Sequence, residues 1–463
     1  MKRSVKNTVL LLALTFGNGG CSFFNVDDTV DPNSPAVESV LTNASRAQLN
    51  QLGIGVQSAT RNGLSNYYLV SGSIGREVYN LASTELTWTT ELLGSMSGGL
   101  SPTTLFNGHY ADFSQTRRRA EIFLRSAEQS NATAPDALTE AQKQGIRGFS
   151  NTVKAFVMLN TLNMQYQNGI RLTFSDLATP GDLLKPGPFG TYEASLAAIK
   201  GLLDEGAAQL STAGDDFAFP VSVGYAGFNK PATYRKFNRA VAARVAMYQQ
   251  DWVGMLSVLD ESFLDRNGPL TTGPVYTFST TAGDLVNPLF QALNTTNSPV
   301  VAQNAFVSDA EPGDTRVARK VTRRTTPRTF NGLNGVYDAS LYATNTDPVS
   351  ILRNEELILM YAEAKIQTGQ LAEAVTVLNR VRTSAGLQPL AIAKPAVIGN
   401  KDALIDELLN QRRYSLWYEG HRWFDVRRYN RLDQLPNDAP NQRVYDQLIR
   451  PFAEVQWDAK NPQ

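Results

Sequence analysis

Apolar and polar positions along this chain recur mainly with the period of a helix. The clearest pair lies towards the C-terminus. Residues 354–368 (NEELILMYAEAKIQT) predict one helix, with Asn354 as its N-cap and Glu355 and Glu356 in the first turn, where the helix dipole favours acids. Gly369 interrupts it. Leu371, Ala374, Val375, Leu378 and Val381 then recur on one face of a second helix, and Gly386 stands just past its end. Ala362, Ala364, Ala372 and Ala374 are small enough to let the two helices approach closely. A helix, a short glycine turn and an Ala-rich second helix make a tetratricopeptide-type unit.

A second copy lies upstream, at 233–249 (TYRKFNRAVAARVAMYQ) and 252–264 (WVGMLSVLDESFL), joined at Asp251. Ala242 and Ala243 fall opposite Tyr361 and Ala362, and Leu256 and Leu259 opposite Val375 and Leu378. Residues 139–167 and 192–210 predict another amphipathic pair, and 110–130 a further helix. The spacing is too irregular for a tandem array. The expected fold is mainly α, with tetratricopeptide-like helix pairs in an α-α superhelix, long loop insertions and minor β hairpins. The insertions, 62–108, 213–230 and 266–350, are rich in Gly, Ser, Thr and aromatics, and loops this long in a compact domain usually carry function. Residues 316–330 (RVARKVTRRTTPRTF) predict a short hairpin.

The N-terminus has a different pattern. Lys2, Arg3 and Lys6 precede a short apolar run, Val9 to Leu14, then Gly19, Gly20 and Cys21. This is the layout of a secretory signal peptide over 1–20. The lone cysteine of the chain sits where a lipoprotein would be cut and acylated, so Cys21 is the expected lipid anchor. Asn18 stands where such cleavage boxes usually carry Leu, so the cysteine, not the box, marks the boundary. Residues 21–45 are rich in Asp, Asn, Ser and Pro and predict a tether, with Asp27 and Asp28 just past the cysteine. No other apolar run reaches the length of about 18 residues that a spanning helix needs.

Composition removes several classes of function. Lys+Arg and Asp+Glu each number 43, so the basic excess of a nucleic-acid binder is missing. One cysteine permits no intrachain disulfide, and His109 and His421 are the only histidines, which argues against most zinc sites. There is no Gly-x-Ser-x-Gly elbow (GSMSG at 94–98 has Met96 at the nucleophile position), no phosphate loop and no His-Glu-x-x-His pair. Paired carboxylates for glycoside hydrolysis stay open on composition alone, since acids are plentiful.

Two C-terminal segments carry a resemblance. They are ILRNEELILMYAEAKIQTGQLAEAVTVLNRVRTSAGL at 351–387 and LIDELLNQRRYSLWYEGHRWFDVRRYNRL at 404–432. Together they resemble the signature of the SusD/RagB lipoproteins, through Tyr418, Glu419, Gly420, Arg422, Trp423, Phe424, Asp425 and Arg428. Gln411 and Ser415 depart from it, at places where that family usually carries Glu. The cysteine, the DPNSP tether, the AVAARVAMYQQDW helix and the final PFAEVQWDAKNP fall in the family's order. The resemblance makes 46–463 a single SusD-like helical domain, with the signature within about 300–463. Physically, Trp417, Trp423 and Phe424 call for burial, and Glu419, Arg422 and Asp425 are spaced to reach one another, so the motif reads as structural.

The resemblance implies an outer-membrane lipoprotein that faces the cell exterior. Such a protein captures nutrient oligosaccharide without catalysis and delivers it to a SusC-like TonB-dependent transporter. It implies no catalytic residue, cofactor or metal. Peptide capture, as in the RagB branch, is the alternative, and a glycoside hydrolase a more remote one. Family ligand contacts come from variable loops, so candidates must be chosen on physical grounds. Sugar rings stack on aromatic planes, and their hydroxyls bond polar side chains at the rim. That choice gives Trp88 in LTWTTE, with Tyr79 and Asn80 nearby, Tyr225 and Phe228 in VGYAGFN, and Tyr276, Tyr337 and Tyr342 in the third insertion. Arg316, Arg319, Lys320, Arg323, Arg324 and Arg328 form a basic cluster that reads either as a solvated hairpin face or as a contact for an anionic ligand or the transporter. Arg117, Arg118 and Arg119 read as surface charges on a helix.

Overall fold

A computed structural model of the chain describes residues 37–95, 99–130, 137–174 and 186–461. Helices α1 (Val37–Asn43), α2 (Arg46–Ala59) and α3 (Leu64–Ile74) lead into strand β1 (Val78–Asn80). Helices α4 (Gly108–Glu128), α5 (Glu140–Gln165), α6 (Tyr192–Ser211), α7 (Pro231–Gln249) and α8 (Trp252–Asp260) follow. The third insertion holds β2 (Val275–Tyr276), β3 (Val300–Ala302), α9 (Ala305–Ser308), α10 (Thr315–Lys320), β4 (Val321–Phe330), β5 (Leu333–Ala339) and β6 (Val349–Ser350). The C-terminal region adds α11 (Asn354–Gln367), α12 (Leu371–Ser384), α13 (Leu390–Ala393), α14 (Lys401–Ser415), α15 (Arg422–Arg428) and α16 (Phe452–Lys460).

The chain is mostly helical, and each helix from α4 to α8 packs on the next. Helices α7 and α8 lie against α11, which also packs on α12 and α14. Local sequence starts the helices. Thr139 and Gln142 form a capping box at α5, the Thr191 hydroxyl accepts the Ala194 amide at α6, and the Asp251 carboxylate accepts the Gly254 amide at α8. The stripe of α12 buries Ala374, Leu378 and Val381, while Ala372 turns out to solvent because it lies off that stripe. Asn354 does not cap α11. Its side chain is buried and bonds the Asp265 amide and the Asp265 and Pro269 carbonyls, so it fastens the loop before the helix.

The insertions join one another in a sheet. Strand order is β1-β3-β5-β4, antiparallel throughout, with Tyr79 opposite Val301 and Val301 opposite Asp338. A second pair joins β2 to β6. The expected hairpin exists but is displaced: residues 315–320 are helical, and the strands are 321–330 and 333–339. The tether boundary at 45 also moves. Helix α1 begins at Val37, and Val40, Leu41 and Ala44 are buried in the main core. Cys21 and the rest of the tether lie outside the described residues. Among the described residues no helix is long and apolar enough to cross a membrane.

The signature segment closes the core. Trp417, Trp423 and Phe424 are buried, and the Trp423 indole donates to the Tyr445 carbonyl at 2.8 Å. Between them the chain turns sharply, with Tyr418 at φ 61° and Gly420 at φ 73°. A Cβ at Gly420 would lie 2.8 Å from the Tyr67 ring, so this position needs glycine for both its conformation and its clearance. Asp425 accepts from Arg412 at 2.6 Å and from Arg428 at 3.0 Å, and Arg428 also pairs with Glu363. Burial alone would raise the Asp425 carboxyl, but the two guanidinium groups hold it at about 2.

Candidate ligand-binding surface

The sequence candidates do not converge on one place. Tyr79 is buried in the sheet, and its hydroxyl donates to Asp438 at 2.6 Å. The Asn80 side chain accepts the Ala82 amide at 3.1 Å. Phe228 is buried edge-on against Phe263, with ring centroids 4.8 Å apart. Tyr337 packs half-buried on the core from β5. Trp88 is half-buried, and its ring meets Phe106 edge-on at 4.9 Å. Most of that indole is therefore spent on holding its own loop.

Tyr225 and Tyr276 do meet. Both line a groove of about 330 Å³, together with Gln57, Arg61, Thr277 and Asp284. Two of its polar side chains, Gln57 and Arg61, are already engaged. Gln57 donates to the Gly53 and Pro220 carbonyls and accepts the Ser222 amide. Arg61 donates to the Thr277 carbonyl and the Ser58 hydroxyl and pairs with Asp284 at 2.7 Å. A ligand there would have to displace bonds the fold already makes.

Tyr342 lies in a different place, on a cleft of about 610 Å³ between α10, the start of α11 and the end of α14. The cleft also presents Arg316, Arg319, Lys320, Arg353, Glu355, Ser415 and Glu419. Three of these cations converge on Ser415, a residue without charge. Its hydroxyl accepts Arg316 at 2.9 Å, and its carbonyl accepts Lys320 and Arg353, each at 2.7 Å. Arg353 also pairs with Glu355 and Glu419, and Arg316 with Asp314 at 2.7 Å. Burial would raise the Glu355 carboxyl, yet Arg353 and the Ser415 hydroxyl bring it below its usual range. Burial pushes the Lys320 ammonium down to about 8, only partly opposed by Glu419, whose nearest oxygen is 3.9 Å away.

The basic cluster is split, with Arg319 and Arg323 exposed and three of the others inside the fold. Arg316, Lys320 and Arg324 are buried, and Arg324 pairs with Asp338. Arg117 is likewise not a surface charge. It donates to the Arg171 and Leu172 carbonyls at 2.6 and 2.5 Å and lies over the Phe174 ring. Sequence reasoning missed Arg353, Glu355, Glu419 and Ser415 as cleft residues. The departure at Ser415 was the one available signal, since a small neutral side chain among cations leaves room and charge for something else.

Comparison with known proteins follows the same lines. A family model described as the SusD family matches residues 255–463. A curated relative, SusD-like protein P38 of Formosa agariphila, is 34% identical over 108 residues, which is 22% of this chain and 21% of that protein, so the chain spans about a fifth of that relative's length. Surface glycan-binding protein A from Bacteroides thetaiotaomicron has the same fold at 12% identity, with a TM-score of 0.68 over 91% of this chain and 98% of that one. A laminarin binding SusD-like protein gives 16% identity and a TM-score of 0.60 over 90% and 98%. A SusD superfamily protein from Bacteroides vulgatus gives 16% and 0.64 over 89% and 97%.

Proposed function

We propose that this chain, whose residues 255–463 match the SusD family model, captures oligosaccharide at the cell surface and passes it, uncleaved, to a SusC-like TonB-dependent transporter. The family match over 255–463 carries this reading. Solved structures of the same fold named for glycan or laminarin binding support it. The proposed seat is the Tyr342 cleft. An aromatic plane beside donors and acceptors of both charges suits a ring with several hydroxyls, whereas in the groove lined by Tyr225 and Tyr276 the Gln57 and Arg61 side chains are bonded within the fold. The test is calorimetry of the mature protein against oligosaccharides and peptides, with products assayed in parallel. Glycan binding without cleavage is expected; binding of peptides alone, or bond cleavage, would replace the reading.

Anchoring is proposed through Cys21 to the outer face of the outer membrane. Several acyl chains on one cysteine hold a protein stably, and no helix of the described body replaces them. Cys21→Ala is expected to move the protein from the membrane fraction to the soluble fraction; unchanged membrane retention would contradict the lipid anchor.

Trp88 receives a separate role here, as the anchor of its loop. Trp88→Ala is expected to lower unfolding free energy by about 1–3 kcal/mol, part of the cost of truncating a fully buried aromatic. Glycan affinity should stay within twofold or so, since one buried contact is lost and no cleft contact. A large loss of affinity with unchanged stability would return Trp88 to the ligand surface.

A further inference from the structure

The Tyr342 cleft is out of balance in charge. Arg316, Arg319, Lys320 and Arg353 line it, against Glu355 and Glu419. Arg316 and Arg353 are satisfied by carboxylates at contact distance. The other two cations are not. Lys320 is 7% exposed, and among the described residues its ammonium has one hydrogen bond, to the Ser415 carbonyl, with Glu419 too far away at 3.9 Å to accept another. Arg319 is exposed and, among the described residues, donates only to its own helix, to the Thr315 carbonyl and hydroxyl at 3.2 and 3.3 Å. A buried ammonium without a close anion is costly, and an incoming carboxylate would relieve that cost while gaining a charge-assisted bond. Next to these cations stand one aromatic ring, Tyr342, and the hydroxyl-bearing Thr271 and Ser384.

Building on the glycan-capture reading, we propose that the captured saccharide is acidic, with a ring carboxylate, as in a uronic acid, seated between Lys320 and Arg319 and the ring face against Tyr342. The neutral Ser415 makes the seat possible. An acidic side chain there would supply the missing charge from within.

The experiment titrates the mature protein with oligogalacturonate, with the same oligomer as its neutral methyl ester, and with neutral laminari-oligosaccharide. Oligogalacturonate is expected to bind about tenfold more tightly than its ester, the scale of one charge-assisted contact. Arg319→Ala, an exposed change that leaves the core untouched, should remove most of that preference. Lys320→Met should do the same, its folding checked by circular dichroism. Equal binding of acid and ester, or acid binding unaffected by both variants, overturns the acidic-ligand inference while glycan capture stands. Neutral oligosaccharide binding with no acid binding does the same. No saccharide binding, with capture of an acidic peptide instead, overturns both.

Discussion

Asp425→Asn is expected to destabilise the protein by about 3–5 kcal/mol, the range for breaking a buried ion pair from one side. Asp425 holds two guanidinium groups, and they depend on it unequally. Arg428 keeps Glu363 as a second carboxylate. Arg412 is fully buried, its Nε donates to Asp425 at 2.6 Å, and its two terminal nitrogens have no partner among the described residues. Loss of the Asp425 charge leaves that guanidinium buried without compensation. The same network gives a pH dependence. Asp425 and Glu356 are both held at about 2, against ordinary values near 4, by Arg412 and Arg428 in one case and by Arg244 in the other, despite burial. Their folded values lie below the unfolded ones, so their stabilisation is present above about pH 4 and is lost as pH falls towards 2. Denaturant unfolding of the variant at pH 7 checks the first claim; a change below 1 kcal/mol or so would contradict it.

Glu77→Gln is expected to have the opposite sign. Glu77 is buried between α3 and the signature turn, accepts the Tyr418 amide at 3.1 Å, and has no partner for its second oxygen among the described residues. Burial pushes its carboxyl up to about 8, with the Tyr418 amide and the nearby Arg422 and Lys320 opposing. The folded value lies above the unfolded one. Stability from this group is therefore complete below about pH 4.5 and is lost as pH rises to about 8. Glutamine keeps the acceptor and removes the ionisation. The variant should fall below the wild type by about 1 kcal/mol near pH 5, the cost of an unpaired amide, and exceed it at pH 9 by roughly 2–4 kcal/mol, at 1.36 kcal/mol per shifted unit less that same cost. Lys320, lowered to about 8, is common to both proteins, so its own titration largely cancels in the difference. A stability difference that is flat from pH 5 to pH 9 would show that Glu77 is ionised in the fold.

Helix-forming signals could be read from the sequence because they are local. Thr139 and Gln142 lie three residues apart, and Gly369 and Gly386 take positive φ of 78° and 81° where the periodic stripes stop. The signature aromatics were also legible, since side chains as large as Trp417 and Trp423 leave few alternatives to burial. The sheet was not. Strands β1 and β3 have three residues each and come from separate insertions, so neither carries a period of its own, and tertiary pairing alone defines them. The arginines failed for the same reason. Arg117 reads as an exposed helical charge until the carbonyls of Arg171 and Leu172 are brought to it. The cleft is built from parts far apart in the chain. Arg316 meets Ser415 across 99 positions, and Tyr342 enters from a third segment. Aromatic residues in loops were a reasonable guide to sugar contacts, but most of these pack inward because a helical scaffold with little sheet must close its own insertions.

Glycan binding without cleavage is the function proposed for this protein. The most direct measurement is calorimetric titration of the mature protein with an oligosaccharide panel, with each mixture then analysed for products. Saturable binding of at least one oligosaccharide, with its chain length unchanged after prolonged incubation, is the predicted result. Shortened products, or binding confined to peptides, would contradict it.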